Sequence, residues 1–131
     1  MASSPTTLAA NIALCEQCIE LIEHVDDAQY TITQASISSI GAHIRHIIDM
    51  IQCFLDGLET KTINYDGRQR DTQLETCRQS AKSYFSSIIN ALREISQQSL
   101  IKNVTIKETI HPNLPAVSVP STIERELAHL Y

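Results

Sequence analysis

Apolar residues recur at three- and four-residue steps in three long stretches of this chain, the period of a helix with one buried face. In the first stretch Leu8, Ile12, Cys15, Ile19 and Ile22 form the stripe. Ser4 suits the N-cap and Pro5 the first helical position, so helix one is predicted from Pro5 to about His24. A short polar connection holding Asp26, Asp27 and Gln29 follows. The next periodic segment opens in the serine-rich stretch from Ser36 to Ser39, and Ile40, Ile44, Ile47, Ile48, Ile51, Phe54, Leu55 and Leu58 make it the most strongly patterned helix of the chain. It should end near Leu58, since residues 61–71 lose the period and hold the turn-prone Asn64, Asp66 and Gly67. Helix three resumes at about Thr72, capped by Asp71 or Thr72, with Leu74, Cys77, Ala81, Tyr84, Phe85, Ile88, Ile89, Leu92 and Ile95 apolar, and runs to about Gln98.

The period then changes from helical to two. Val104, Ile106 and Ile110 alternate with polar residues, as do Val117 and Val119 beyond the turn-forming run His111-Pro112-Asn113-Leu114-Pro115. This pattern predicts a β-hairpin that Pro120 ends. Ser121-Thr122-Ile123-Glu124 has the form of a capping box, so a fourth helix should start at Thr122 and bury Ile123, Leu127 and Leu130. No glycine, asparagine or proline ends that helix before Tyr131, and the natural chain is expected to continue past this point.

Length and charge narrow the picture. A chain of 131 residues with 43% hydrophobic content suits one domain with a single core. No apolar run reaches the roughly 20 residues that cross a bilayer, and the N-terminus has no basic stretch ahead of an apolar block, so no membrane partner and a cytoplasmic location are expected. Ten basic against fifteen acidic residues give a net charge of -5, with no basic stripe, which argues against a nucleic-acid partner. The four cysteines are expected to stay reduced.

Three segments carry a resemblance. Ser38-Ser39-Ile40-Gly41-Ala42-His43-Ile44-Arg45-His46-Ile47-Ile48-Asp49 is similar to the start of helix two in DinB-like proteins, with His43 where that family has its first metal-binding histidine. Asn64-Tyr65-Asp66-Gly67-Arg68-Gln69-Arg70-Asp71, followed by Leu74-Glu75-Thr76, looks like the loop and helix-three start of one DinB-like branch, and Ser121-Thr122-Ile123-Glu124-Arg125-Glu126-Leu127 resembles the opening of that branch's last helix. The matches lie in order along nearly the whole chain. The resemblance implies an all-α, DinB-like four-helix bundle, here with a β-hairpin between helices three and four and a truncated last helix. It also implies a homodimer and a divalent metal such as zinc, nickel or iron held by three histidines, one from helix two and two from a His-x-x-x-His pair in the last helix. His43 is present, whereas the last helix stops about where the pair would begin.

The residues themselves can be weighed beside that resemblance. At roughly 100° per residue the apolar stripe of helix two points about 70° to one side of His43 and about twice as far from His46. His43 is therefore expected at the edge of the buried face and His46 toward solvent or a neighbouring subunit. On spacing alone His43 is a hydrogen-bonded boundary histidine, and the resemblance makes it a ligand. His46, three residues on, is a secondary metal candidate because side chains on adjacent turns can reach one ion. His24 and His111 read as surface residues and His129 as a solvated helix residue. Cys15 and Cys18 have the spacing of a dithiol, yet inside a helix they read as core filling. Asp66, Arg68, Arg70, Asp71 and Glu75 form either a structural charge network or, through Arg68 or Arg70, a grip on an anionic substrate.

The sequence thus leads to a divalent-metal-binding protein related to metal- and thiol-dependent transferases or isomerases, acting on a small thiol or an anionic substrate. The alternative is a non-catalytic bundle that serves dimerisation or protein binding, its metal site lost. No serine-nucleophile motif, phosphate-cradling loop, dinucleotide fingerprint or paired-carboxylate signature is present.

Overall fold

A computed structural model describes residues 6–35, 37–67, 72–95 and 97–130 of the chain. The protein is mostly helical, with a small three-stranded sheet at one end. Helix α1 spans Thr6–His24, α2 Asp27–Thr31 and α3 Ile40–Thr60. After strand β1 (Thr62–Ile63) and two 3₁₀ turns come α4 (Arg78–Arg93) and α5 (Gln97–Leu100). The hairpin strands are β2 (Asn103–Glu108) and β3 (Val117–Thr122), and α6 covers Ile123–Leu130.

The apolar stripes converge as the periodicity predicts. Leu8, Cys15 and Ile22 from α1, Ile44, Ile48, Ile51 and Phe54 from α3, Ala81, Phe85, Ile88 and Leu92 from α4, and Ile123 and Leu127 from α6 share one core. Cys15 and Cys18 are both buried, as core filling requires. Burial pushes the Cys15 thiol up to about 12 and also raises that of Cys18, which leaves both poor nucleophiles.

Five hydrogen bonds show the helix directions. The Arg78 guanidinium donates to the Ile22 and Val25 carbonyls at 2.9 and 2.6 Å, so α4 begins where α1 ends and the two run antiparallel. Arg45, near the start of α3, donates to Glu75 just ahead of α4 at 2.8 Å, so α3 and α4 run the same way. Glu126 of α6 meets Tyr65, just past the end of α3, and the Leu127 carbonyl accepts from Asn11 of α1 at 2.8 Å. Helix α6 therefore leaves the sheet at the C-terminal end of α3 and runs back along α1 and α3. Parallel α3 and α4 need a connection that returns the length of the bundle, and residues 61–77 supply it.

Several boundaries differ from the sequence expectation. The connection after α1 contains α2, because Asp26 and Gln29 form a reciprocal capping box, Gln29 N–H to Asp26 Oδ1 at 2.7 Å and Asp26 N–H to Gln29 Oε1 at 3.0 Å. Helix α3 starts at Ile40, after Ser39 caps Ala42 N–H at 3.0 Å. Helix α4 starts at Arg78 rather than Thr72. Residues Thr72–Glu75 form a 3₁₀ turn that lays its backbone on α3, so that a side chain at Gly41 would collide with the Glu75 carbonyl and the Tyr30 ring. Thr72 sits in that turn and does not cap α4, and Asp71, the other expected cap, lies outside the described residues. Helix α4 ends at Arg93 and the short α5 follows, where one helix to Gln98 was expected.

The hairpin is present, but within a sheet of order β1-β2-β3 in which β1, from the expected loop, pairs parallel to β2 through Thr62↔Thr105 and Ile63↔Ile106. Pro120 does not end β3; it pairs with Thr105 inside the strand. The Thr105 N–H donates to Lys61 of the β1 segment at 2.9 Å, so its bonding groups face away from β3 and the Pro120 nitrogen points out of the sheet. On that edge a missing N–H costs nothing. The capping box at Ser121 also fails: Thr122 Oγ1 accepts from Arg125 N–H at 3.1 Å and α6 starts at Ile123, while the Ser121 hydroxyl donates to Glu126 at 2.7 Å.

Candidate metal centre on α3

At 100° per residue, His43, His46, Met50 and Gly57 fall within about 60° of one another around α3. Their surroundings change along the helix. Gly57 is buried, and a Cβ there would lie 2.6 Å from Ile63 Cγ1 and 2.8 Å from the Thr62 carbonyl oxygen, because β1 is seated directly on it. One turn earlier Cys53 Sγ donates to the Asn64 carbonyl at 3.1 Å. Met50 is half-buried, and His46 and His43 are exposed. His43 was expected at the boundary of the core; it is more open than that because the segment covering this side of α3 lies toward the helix's C-terminal end.

Among the described residues no hydrogen bond or ion pair engages the ring of His43 or of His46. The contrast with two other histidines is chemical. His24 Nδ1 donates to the Glu20 carbonyl at 2.7 Å, and His111 Nδ1 accepts the Asn113 N–H at 3.1 Å, so each commits a nitrogen locally. Both are exposed, as expected of surface residues, and so is His129 on α6. A neutral imidazole with free nitrogens is the donor type that zinc, nickel and iron favour, so the pair on α3 suits such an ion chemically. The donor set is partial: no group of three or more His, Cys, Asp or Glu side chains able to hold a metal occurs among the described residues.

The flank of this surface is built from locked charges. Arg45 is held by Asp49 at 3.2 Å and by Glu75 at 2.8 Å, with the Asp49 side chain only 5% exposed. A guanidinium paired with two carboxylates this way anchors α3 to the turn ahead of α4. Of the charge cluster named from sequence, Glu75 pairs with Arg45, and Asp66 Oδ2 accepts the Thr109 N–H at 2.8 Å. Arg68, Arg70 and Asp71 lie outside the described residues.

Two engaged groups were not anticipated. Glu126, 3% exposed, accepts from the Tyr65 hydroxyl at 2.9 Å and from Ser121 Oγ at 2.7 Å, with Arg125 at 3.5 Å. Burial, and then the hydrogen bond to Glu126, raise the Tyr65 hydroxyl well above the ordinary tyrosine value. The Cys77 thiol, at the start of α4, is held below the ordinary cysteine value by a hydrogen bond from the Ser80 hydroxyl at 3.1 Å. A helical projection of α6 places Glu126 beside Ile123 and Leu127, a signal available in the sequence; nothing in it marks Cys77.

The chain matches no family model, no curated protein and no solved structure. No helix among the described residues is long and apolar enough to cross a membrane.

Proposed function

We propose that this chain is a divalent-metal-binding helical bundle of the DinB-like type, with His43 as an anchoring ligand and further donors drawn from outside the described residues. The observation that carries this is the His43 ring, exposed near the start of α3 and free of any described partner, while α6 runs back along α3 from its far end. The resemblance takes the other ligands from the last helix, and the direction of α6 agrees with that source. A bound zinc, nickel or iron ion would lower the pKa of a thiol or water, giving a nucleophile at neutral pH. The chain's own part is to present an imidazole from a rigid helix. The Arg45–Glu75 ion pair ties that helix to the turn ahead of α4, and Asp49 on the same helix holds the guanidinium in place. A small thiol as substrate and a homodimer as the assembly belong to the same proposal.

Metal analysis of the purified chain after incubation with zinc or nickel, beside the His43→Ala variant, tests it. The expected result is metal retained by the parent chain and lost from the variant; equal content in the two removes His43 from any site.

The competing reading, a non-catalytic bundle that binds another protein, is favoured by one observation: Ile101, Ile110 and Leu114, on and beside the hairpin, are 62–76% exposed. It becomes the better account if neither form takes up metal.

A further inference from the structure

We infer that His46 is a second ligand to the ion anchored on His43, an inference that rests on the proposed function above. The two imidazoles leave adjacent turns of α3, three residues apart, on one exposed face. Neither ring is tied to a described residue, unlike His24 and His111, so no local hydrogen bond has to break before either binds. The line that joins them continues through Met50 to Gly57, where β1 is packed against the helix. The same side of α3 is thus occupied by protein at one end and bears the two free imidazoles at the other.

Charge and rigidity favour the same assignment. The side chain between the two histidines that carries a fixed positive charge, Arg45, is drawn to the other side of the helix by Asp49 and Glu75 and is neutralised there. A dication at the histidine pair therefore meets no uncompensated cation from Arg45. The helix under the pair is firm, because Ile44, Ile48 and Ile51 are at most 2% exposed. Two nitrogen donors on a stiff scaffold lose little conformational freedom on binding and select borderline ions such as Ni²⁺, Cu²⁺ and Zn²⁺ over Mg²⁺ or Ca²⁺.

Titration of the full chain and of the His43→Ala and His46→Ala variants with Ni²⁺, followed by calorimetry, tests this. Electron paramagnetic resonance of the Cu²⁺ form counts the coordinating nitrogens. Both histidines are exposed, so the variants are expected to fold, and thermal unfolding without metal checks that. The expected result is that His46→Ala weakens Ni²⁺ binding by about tenfold or more and that the Cu²⁺ spectrum loses one nitrogen. Unchanged affinity in His46→Ala, with loss in His43→Ala, overturns His46 as a ligand and leaves the His43 reading standing. No Ni²⁺ binding by the parent chain, or none that either substitution alters, overturns both.

Discussion

Arg45 and His46 are neighbours in the sequence, and the two sides of α3 on which they stand have opposite characters. On the Arg45 side charges are paired: the guanidinium bridges Asp49 on its own helix and Glu75 ahead of α4. On the His46 side two titratable rings stand in the open with no described partner. A polar residue on a helix can therefore hold the fold together or remain available for something else, and the hydropathy of the residue does not distinguish the two. The covering element does. Where β1 and α6 pack, Glu126, Tyr65 and Ser121 saturate one another; where nothing described packs, the imidazoles stay free.

That contrast can be broken from its strongest side first. Replacing Arg45 by Ala leaves the Asp49 carboxylate buried without this countercharge and should lower stability by about 3 kcal/mol, measured by urea denaturation; a loss under about 1 kcal/mol would show that the ion pairs are ornamental. Glu126→Ala removes the hydrogen bonds that a charged acceptor receives from Tyr65 and Ser121. A cost of about 2 kcal/mol is expected, with amide exchange speeding up in α6 before it does in α3. The smallest effect sharpens the comparison: without metal, His43→Ala and His46→Ala should each change stability by less than about 0.5 kcal/mol. A larger loss in either would mean that the ring has a structural partner.

Much of the bundle was legible because it depends on local periodicity. Ile44, Ile48, Ile51 and Phe54 sit where a 3.6-residue repeat puts them, and the change of period after Gln98 announced the hairpin. What escaped depends on contacts between distant residues. Strand β1 has two residues, too few for any alternation to register, and exists because β2 pairs with it. Thr72 looks like a helix start, but the backbone of that turn is pulled onto Gly41 of α3. Asn11, wholly buried and donating to the Thr7 and Leu127 carbonyls, lies on a stripe that reads as apolar. Asp26 and Gln29 form the exception: their capping box is a local signal that could have been recognised. At the candidate site the sequence singled out His43 and His46, while their freedom from partners became visible only once neighbours were in place.

The parallel pairing of β1 with β2 has a consequence for how the molecule is made. Strand β1 leaves the ribosome early, and its hydrogen-bonding partner follows roughly forty residues later, after the whole of α4 has been synthesised. Helices α1 and α3 can each pack on α4 while that partner is still missing, whereas the sheet must close late. Helix α6 follows both hairpin strands in the chain, so the surface it covers is shielded only after they have been made.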